Sequence, residues 1–232
     1  TMRNVLILYG LSIAVCAQGP PGVIAGRLAD DDGAGISNGR VSLLLVTAAP
    51  ARGLVAKDWL AATGVDGSFR FTGLFPGRYR VCAQAPEGPW LGTCEWSPDA
   101  APTVELTAAV PVVNLTVALK RGVVLPIRVD DPSGYLGRHE GKTPGAHLLV
   151  GIGGGGALFH PASPVKSDAN GRDYQVLVPE GTPLTLVMSS AVFQMVDSSG
   201  RLLATSPTAS FPVMIFEGAP TPSFIFSVVA AK

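Results

Sequence analysis

The chain has 232 residues, enough for two ordinary domains that each bury a core of their own. Its 17 basic and 17 acidic residues cancel, so no net charge draws it toward nucleic acid or an anionic membrane. Charged residues make up 15% and hydrophobic residues 47%, while Gly (28) and Pro (20) are abundant. This balance excludes a disordered chain and favours many short strands joined by turns.

The N-terminal segment has the pattern of an export signal. A positively charged start precedes an apolar run from Val5 to Ala17 that ends in small residues, so we predict a signal peptide over 1–17. The run is shorter than the roughly 20 apolar residues that span a bilayer, and we expect no membrane span after cleavage. An uncleaved anchor stays open, as does a lipoprotein acylated at Cys16, although Val15 is larger than such sites accept. The expected location is periplasmic, cell-surface or secreted.

Export determines how the cysteines are interpreted. Removal of the signal takes Cys16 away and leaves Cys82 and Cys94, an even pair in an oxidising compartment. We predict a disulfide between them, which closes a loop of about a dozen residues and contributes about 3 kcal/mol in the chain-entropy model. The alternative is a pair of buried free thiols. A metal site is disfavoured because no His or second Cys pair accompanies them in this half.

Alternating apolar residues and Gly/Pro turns predict strands along the mature chain. In the first half they cover residues 23–28, 40–46, 69–71, 79–83, 103–106 and 112–119. In the second half they cover 123–129, 147–152, 174–178, 184–188, 191–196 and 224–229. Residues 50–62 carry a weak helix-like pattern, but no stretch predicts a long amphipathic helix. The predicted fold class is therefore all-β.

The same order of features occurs twice, about a hundred residues apart. Residues 23–46 read as a strand, an Asp-rich Gly turn and a second strand. Residues 123–152 repeat this order, with residues 130–134 standing where residues 30–33 stood. A repeat of about a hundred residues is the size of one β-sandwich. We predict two tandem Ig-like or prealbumin-like antiparallel β-sandwiches, over 22–120 and 123–232.

Two motifs in the first half carry a family resemblance, namely Asp66-Gly67-Ser68-Phe69-Arg70-Phe71 and Pro76-Gly77-Arg78-Tyr79-Arg80-Val81. Together with residues 24–28 and 39–43, they make residues 22–120 resemble the carboxypeptidase regulatory-like domains. These are prealbumin-like β-sandwiches of the carbohydrate-binding-like and Cna-B-like group. The second half is similar only at 131–134 and 170–181. The resemblance implies an accessory or adhesive module of an exported protein, without peptidase activity.

Some Cna-B-like relatives form an internal Lys–Asn isopeptide bond, which needs a Lys in the first strand. Here Arg27 and Arg128 occupy that neighbourhood, and a guanidinium is not a usable nucleophile. We therefore expect no such cross-link, although Asn114 lies in a plausible last strand.

Two further patterns suggest ligand chemistry only weakly. Residues 151–156 satisfy G-x-G-x-x-G, but dinucleotide binding needs a helix to start there, and Pro161 and Pro164 prevent one. The triplet Asp30, Asp31 and Asp32 offers calcium ligands, although a solvated turn is the favoured interpretation. The histidines His139, His147 and His160 lack metal-site spacing, and no catalytic motif is present. We predict no cofactor, no metal and no enzymatic activity.

Three tryptophans are candidates for a sugar-stacking platform: Trp59, Trp90 and Trp96. The competing interpretation is that they fill the core, which is favoured for Trp96, whereas Trp90 is flanked by turn residues. Two functions therefore remain open. The first is a non-catalytic interaction module that contacts a protein or glycan of the cell envelope. The alternative is a carbohydrate-binding module that uses exposed aromatic residues near the Cys82–Cys94 loop.

Overall fold

A computed structural model describes residues 21–48, 59–96, 101–140, 142, 147–153, 159–203 and 208–230. These residues form strands and turns almost throughout, which confirms the all-β prediction. The helix α1 (Tyr135–His139) has only five residues, and nothing in the described ranges is long and apolar enough to be a membrane-spanning helix. The predicted signal peptide over 1–17 lies outside the described residues and remains a prediction.

The first half forms two facing sheets. Its strands are β1 (Gly22–Ala29), β2 (Arg40–Ala48), β3 (Trp59–Ala62), β4 (Ser68–Leu74), β5 (Gly77–Gln84), β6 (Trp90–Leu91), β7 (Thr103–Leu106) and β8 (Val112–Ala118). One sheet has the order β4-β1-β8 and the other the order β3-β2-β5-β7. In β5, Tyr79, Val81 and Ala83 are buried and the residues between them are more exposed, as the alternating pattern predicts.

The second half repeats this architecture with more strands. The linking strand β9 (Lys120–Arg121) precedes these strands, which are β10 (Val123–Asp130), β11 (Leu149–Gly153), β12 (Phe159–Pro161), β13 (Ser163–Asp168), β14 (Gly171–Val178), β15 (Leu184–Ser189), β16 (Phe193–Asp197), β17 (Thr208–Val213) and β18 (Phe224–Ala230). The two sheets have the orders β13-β14-β10-β18-β16 and β12-β11-β15-β17. Strands β6 and β9 pair separately, as a two-stranded ribbon that joins the halves.

The predicted repeat is visible in how the strands pair. β1 pairs antiparallel with β4 and parallel with β8, and β10 pairs antiparallel with β14 and parallel with β18. Gly67 ends the turn before β4, Gly171 directly follows the equivalent turn as the first residue of β14, and both have positive φ. A Cβ atom on Gly67 would lie 2.3 Å from the carbonyl oxygen of Leu28, and one on Gly171 would lie 2.2 Å from that of Val129. Both turns therefore need glycine, for the same reason.

Two clusters of buried side chains fill the sandwiches. The first cluster lies within the first half and includes Ile24, Val41, Phe69, Tyr79 and Leu119. The second cluster includes Ile127, Ile152, Tyr174, Leu186 and Phe226 from the second half. It also contains Leu91 and Trp96, which belong to the first half of the sequence. The two sandwiches are therefore joined by packing as well as by the chain. Their boundaries at 22–120 and 123–232 remain predictions.

Several short elements differ from the sequence predictions. Residues 59–62, predicted inside a weak helix-like segment, form strand β3 and pair with β2, whereas residues 50–58 lie outside the described residues. The sequence did not predict β12, β13 and β17, which are edge strands that contain Pro161, Pro164 and Pro212. Proline is tolerated at sheet edges because its missing N–H faces away from the ladder.

Arg27 and Arg128 occupy equivalent positions and fasten the first strand of each half to the turn beside it. Arg27 Nε donates to the carbonyl oxygen of Asp66 at 2.8 Å. Arg128 contacts three carboxylates: Nε donates to Asp130 at 2.9 Å, Nη1 and Nη2 to Asp168 at 2.9 and 3.0 Å, and Nη1 to Asp173 at 3.2 Å. In both halves the tie starts from an arginine of the first strand and is non-covalent.

The contacts of Arg128 predict that part of the stability of the second half is lost at low pH. Hydrogen bonds from Arg128 and from the backbone N–H of Asn170 lower the pKa of Asp168 to about 2. Its unfolded pKa is about 3.9, so the stabilisation is complete above that value and is lost as the pH falls through about 2. Asp168→Asn should therefore lower the melting temperature by a few degrees at pH 6 and have little effect near pH 2.

Thermal unfolding at a series of pH values checks this prediction. Glu87→Gln is the matched control, because Glu87 is an exposed carboxylate on a loop of the first half. It should shift the melting temperature little at any pH. A loss in Asp168→Asn that is equal at pH 6 and pH 2 would show that the ion pair with Arg128 is not its cause.

Candidate functional site

A cleft of about 500 Å³ lies between the two sandwiches, beside the disulfide loop. The first half contributes one wall, formed by Leu91, Gly92, Thr93, Trp96, Ala118, Lys120 and Arg121. The second half contributes the facing wall, formed by Pro179, Glu180, Thr182 and Glu217. An apolar base with a few converging polar groups is the usual character of a ligand site.

The predicted disulfide between Cys82 and Cys94 is confirmed, with a Cα–Cα distance of 5.3 Å. It ties the cleft segment 92–96 to β5. Thr93 supports this tie, because its backbone N–H donates to the carbonyl oxygen of Ala83 at 3.0 Å and its Oγ1 accepts the N–H of Ala83 at 2.9 Å. The wall contributed by the first half is thus held both covalently and by hydrogen bonds.

The chain that connects the halves runs along the edge of this cleft. Lys120 and Arg121 pair with Leu91 and Trp90 in the β6–β9 ribbon. The N–H of Gly122 then donates to the carbonyl oxygen of Pro89 at 2.7 Å. A Cβ atom on Gly122 would lie 2.7 Å from Leu91 and 2.8 Å from Leu177, so the two halves approach each other closely at this residue.

Trp96 is part of the cleft wall and of the second core. Its side chain is buried and stacks on His160, with ring centroids 3.9 Å apart and an interplanar angle of 24°. One face of the indole is thereby covered by β12 of the second half. Trp96 therefore joins the sandwiches, in agreement with the core role that the sequence favoured.

Trp90 and Trp59 belong to the first sandwich, unlike Trp96, which packs in the second core. Both are half-buried and pack against the first core cluster. The guanidinium of Arg121 lies 4.7 Å from the ring centre of Trp90, a cation–π contact that covers the indole, and Trp59 packs edge-on against Tyr79 with centroids 5.6 Å apart. The three tryptophans are thus divided between two cores. Carbohydrate binding by Trp90, Trp59 and Trp96 stays a prediction.

Charges of opposite sign face each other across the cleft. Lys120 and Arg121 lie on the first wall, and Glu180 and Glu217 lie on the second. Arg121 pairs with Asp31 at 3.5 Å. Among the described residues, no ion pair within 4.0 Å joins Lys120 to Glu180 or Glu217. Lys120, Glu180 and Glu217 therefore present both signs of charge to the cleft.

The sequence did not identify the glutamates as site residues. The signal for Glu180 was its place in the Pro-Glu-Gly turn that echoes Pro76-Gly77. Glu217 lies in a loop without a motif, so no local pattern could have placed it opposite Lys120.

The Asp-rich turn has a structural explanation. The ligand atoms of Asp30, Asp31 and Asp32 lie within 4.8 Å of one another. However, Asp30 Oδ1 accepts the N–H groups of Asp32 and Ala34 at 3.1 and 2.7 Å, and Asp31 pairs with Arg121. At the equivalent turn, buried Asp131 accepts two backbone N–H groups at 2.7 Å. Asp30 and Asp131 therefore each order a turn, and calcium binding at Asp30, Asp31 and Asp32 stays the alternative interpretation.

The remaining sequence candidates lie apart from one another. His147 is exposed and His160 stacks on Trp96, while only the backbone of His139, in α1, is described. Gly151 and Gly153 belong to β11, which pairs with β12 and β15, and residues 154–158 lie outside the described residues. Among the described cleft residues the polar side chains are carboxylates, cations and Thr hydroxyls. Such a set recognises a ligand by charge and hydrogen bonding.

Comparison with known proteins gives only distant similarity. No protein-family model matches the chain, and no curated protein matches it. A streptococcal ancillary pilin is 14% identical, with a TM-score of 0.42 over 91% of this chain and 63% of its own. A group B streptococcus pilus 2b backbone protein is 19% identical, with a TM-score of 0.34 over 44% of this chain and 42% of its own.

Two other solved structures extend this picture. A candidate adhesin from Bacteroides ovatus is 13% identical, with a TM-score of 0.37 over 94% of both chains. A hydroxyquinol 1,2-dioxygenase from Pseudomonas putida is 9% identical, with a TM-score of 0.32 over 46% of this chain and 58% of its own. Proteins of different function thus resemble this chain about equally, and similarity at this level carries no conclusion about its function.

Proposed function

We propose that this protein is a non-catalytic, exported β-sandwich module that acts as an accessory or adhesive component of the cell envelope. The cleft between its sandwiches binds a segment of a partner protein that carries both a basic and an acidic side chain. The observation that carries this proposal is the opposition of Lys120 to Glu180 and Glu217, where no ion pair between described residues joins the two walls.

Charge complementarity explains the choice of partner. A segment with an acidic group toward Lys120 and a basic group toward Glu217 would pair charges that the fold leaves apart. Such pairing provides specificity and faster association more than raw affinity. A polyanion would be repelled by the glutamates, and a neutral glycan would find the Trp90 ring covered by Arg121 and one face of Trp96 covered by His160. A protein segment is therefore the better-supported occupant.

Compartment and family support the same proposal. A disulfide persists in oxidising compartments, which is consistent with export to the periplasm, the cell surface or the medium. The motifs at residues 66–71 and 76–81 support a carboxypeptidase regulatory-like domain over 22–120, with a diverged second sandwich over 123–232. Members of that group serve as accessory modules, and neither the disulfide nor these motifs supply a catalytic group.

Site-specific photo-crosslinking in the cell envelope tests the proposal. A photoreactive amino acid at Thr182, in the cleft, should form an adduct with a protein, whereas the same residue at exposed Thr72 should not. Lys120→Glu or Glu217→Lys should each reduce the adduct at Thr182 several-fold. Glu87→Lys, on an exposed loop, should leave it unchanged.

Two outcomes would overturn the proposal. One is an adduct at Thr72 equal to that at Thr182, and the other is a cleft adduct insensitive to the charges. Binding to a glycan array that is lost in Trp90→Ala would instead support the carbohydrate-binding alternative.

A further inference from the structure

Each sandwich begins and ends on neighbouring parallel strands. β1 and β8 share seven register pairs, from Val23–Val112 to Ala29–Ala118. Backbone bonds continue this ladder at both ends, from Val23 N to Pro111 O at 2.7 Å and from Leu119 N to Ala29 O at 2.9 Å. β10 and β18 share four register pairs. All other strand pairs in the described residues are antiparallel.

Parallel pairing determines how a pulling force would act. The chain enters the first sandwich at Gly22 and leaves it at Ala118, and these residues lie at opposite ends of the shared ladder. At about 3.3 Å per residue, the two ends of the ladder are about 20 Å apart. Tension along the chain therefore slides β1 past β8 and strains all the rungs together. A pull applied at one end of the ladder would instead break them one after another.

The second sandwich presents the same geometry. The chain enters it at Val123 and leaves at Ala230, the first residue of β10 and the last of β18. These strands are parallel neighbours, so tension again acts along them in shear. This ladder has four register pairs where the first has seven, so fewer rungs share the load.

The connection between the sandwiches has little slack. Only Leu119 and Gly122 lie outside strands between β8 and β10. The intervening Lys120 and Arg121 pair with β6, and Gly122 N donates to Pro89 O at 2.7 Å. β6 itself lies inside the loop closed by the Cys82–Cys94 disulfide, which cannot extend under load. Force therefore passes directly from β8 to β10.

The geometry points to a further function: the two sandwiches form a tension-bearing unit, in which β1–β8 and β10–β18 carry load in shear between the ends of the chain. This function goes beyond the proposed partner contact. It rests on strand register, and the charges of the cleft have no part in it.

Single-molecule force spectroscopy on the full chain tests the inference by changing only the pulling direction. In the first geometry the handles are attached at the two ends of the chain. In the second geometry the N-terminal handle stays in place and the C-terminal handle moves to Ala109, in the exposed turn before β8. The strands β1 and β8 are then pulled from the same end of their ladder. Reduction of the disulfide marks the first sandwich, because freeing a sequence separation of 12 residues lengthens its unfolding step by about 40 Å.

We expect the marked step to need a several-fold higher force in the first geometry than in the second. Equal forces, or a higher force in the second, would overturn the inference. A handle at exposed Ala108 gives the same geometry if the Ala109 protein lacks the marked step. Lys120→Glu and Glu217→Lys should leave the unfolding force unchanged, so failure of the partner proposal and failure of this one are distinguishable.

Discussion

Replacing Trp96 with alanine is expected to destabilise the second sandwich by about 3–5 kcal/mol, the usual cost of deleting a buried Trp side chain. Trp96 is only 8% exposed and belongs to the second core cluster, although it lies in the first half of the sequence. Its loss would leave a cavity beside His160, on which it stacks. Native-state hydrogen exchange should therefore become faster in β11 and β15, with β2 less affected.

Trp59→Ala is the matched control, because Trp59 packs edge-on against Tyr79 in the first cluster. It should speed exchange in β2 and leave β11 and β15 protected. Trp96→Phe keeps an aromatic ring against His160 and should lose less stability than Trp96→Ala. Unchanged protection of β11 and β15 in Trp96→Ala would contradict the assignment of Trp96 to the second core.

The parts of the fold that follow from local sequence were predictable. The strands that line the cores alternate buried and half-buried residues, as in β5 and β15, so their pattern is present in a few consecutive residues. The matching turns at Gly67 and Gly171 follow from the sequence repeat, because the same close approach to a backbone carbonyl recurs. The disulfide followed from counting cysteines in an exported chain.

The rest depends on contacts between distant residues. Strand β13 is exposed at every position and exists because β14 pairs with it, so its own residues carry no pattern. Apart from its near neighbour Leu91, Trp96 packs in a core built from residues at least 29 positions further on, beginning with Leu125. The cleft arises only where Lys120 of one wall faces Glu217 of the other, nearly a hundred residues further along the chain. No spacing rule predicts that such distant residues face each other. The sequence therefore indicated the tryptophans as binding residues and did not identify the charged residues of the cleft.

Removing the disulfide is expected to lower the free energy of unfolding by about 3 kcal/mol, the chain-entropy value for a loop of this length. Cys82 and Cys94 lie 12 positions apart in the sequence, so Cys82→Ser with Cys94→Ser releases this loop in the unfolded chain. In the folded state the hydrogen bonds between Thr93 and Ala83 remain, and we expect the variant to fold. Urea denaturation of the two proteins, each with and without reductant, measures the difference.

Reductant separates the effect of the bond from that of the substitutions. The wild-type protein should fall to the stability of the double variant when reduced, and the variant should not respond. Because the released loop carries Leu91 and ends two residues before Trp96, exchange in β11 and β15 should also rise, though less than in Trp96→Ala. A bond inside the first half would thereby stabilise the second. Equal wild-type stability with and without reductant would show that the disulfide does not hold this junction.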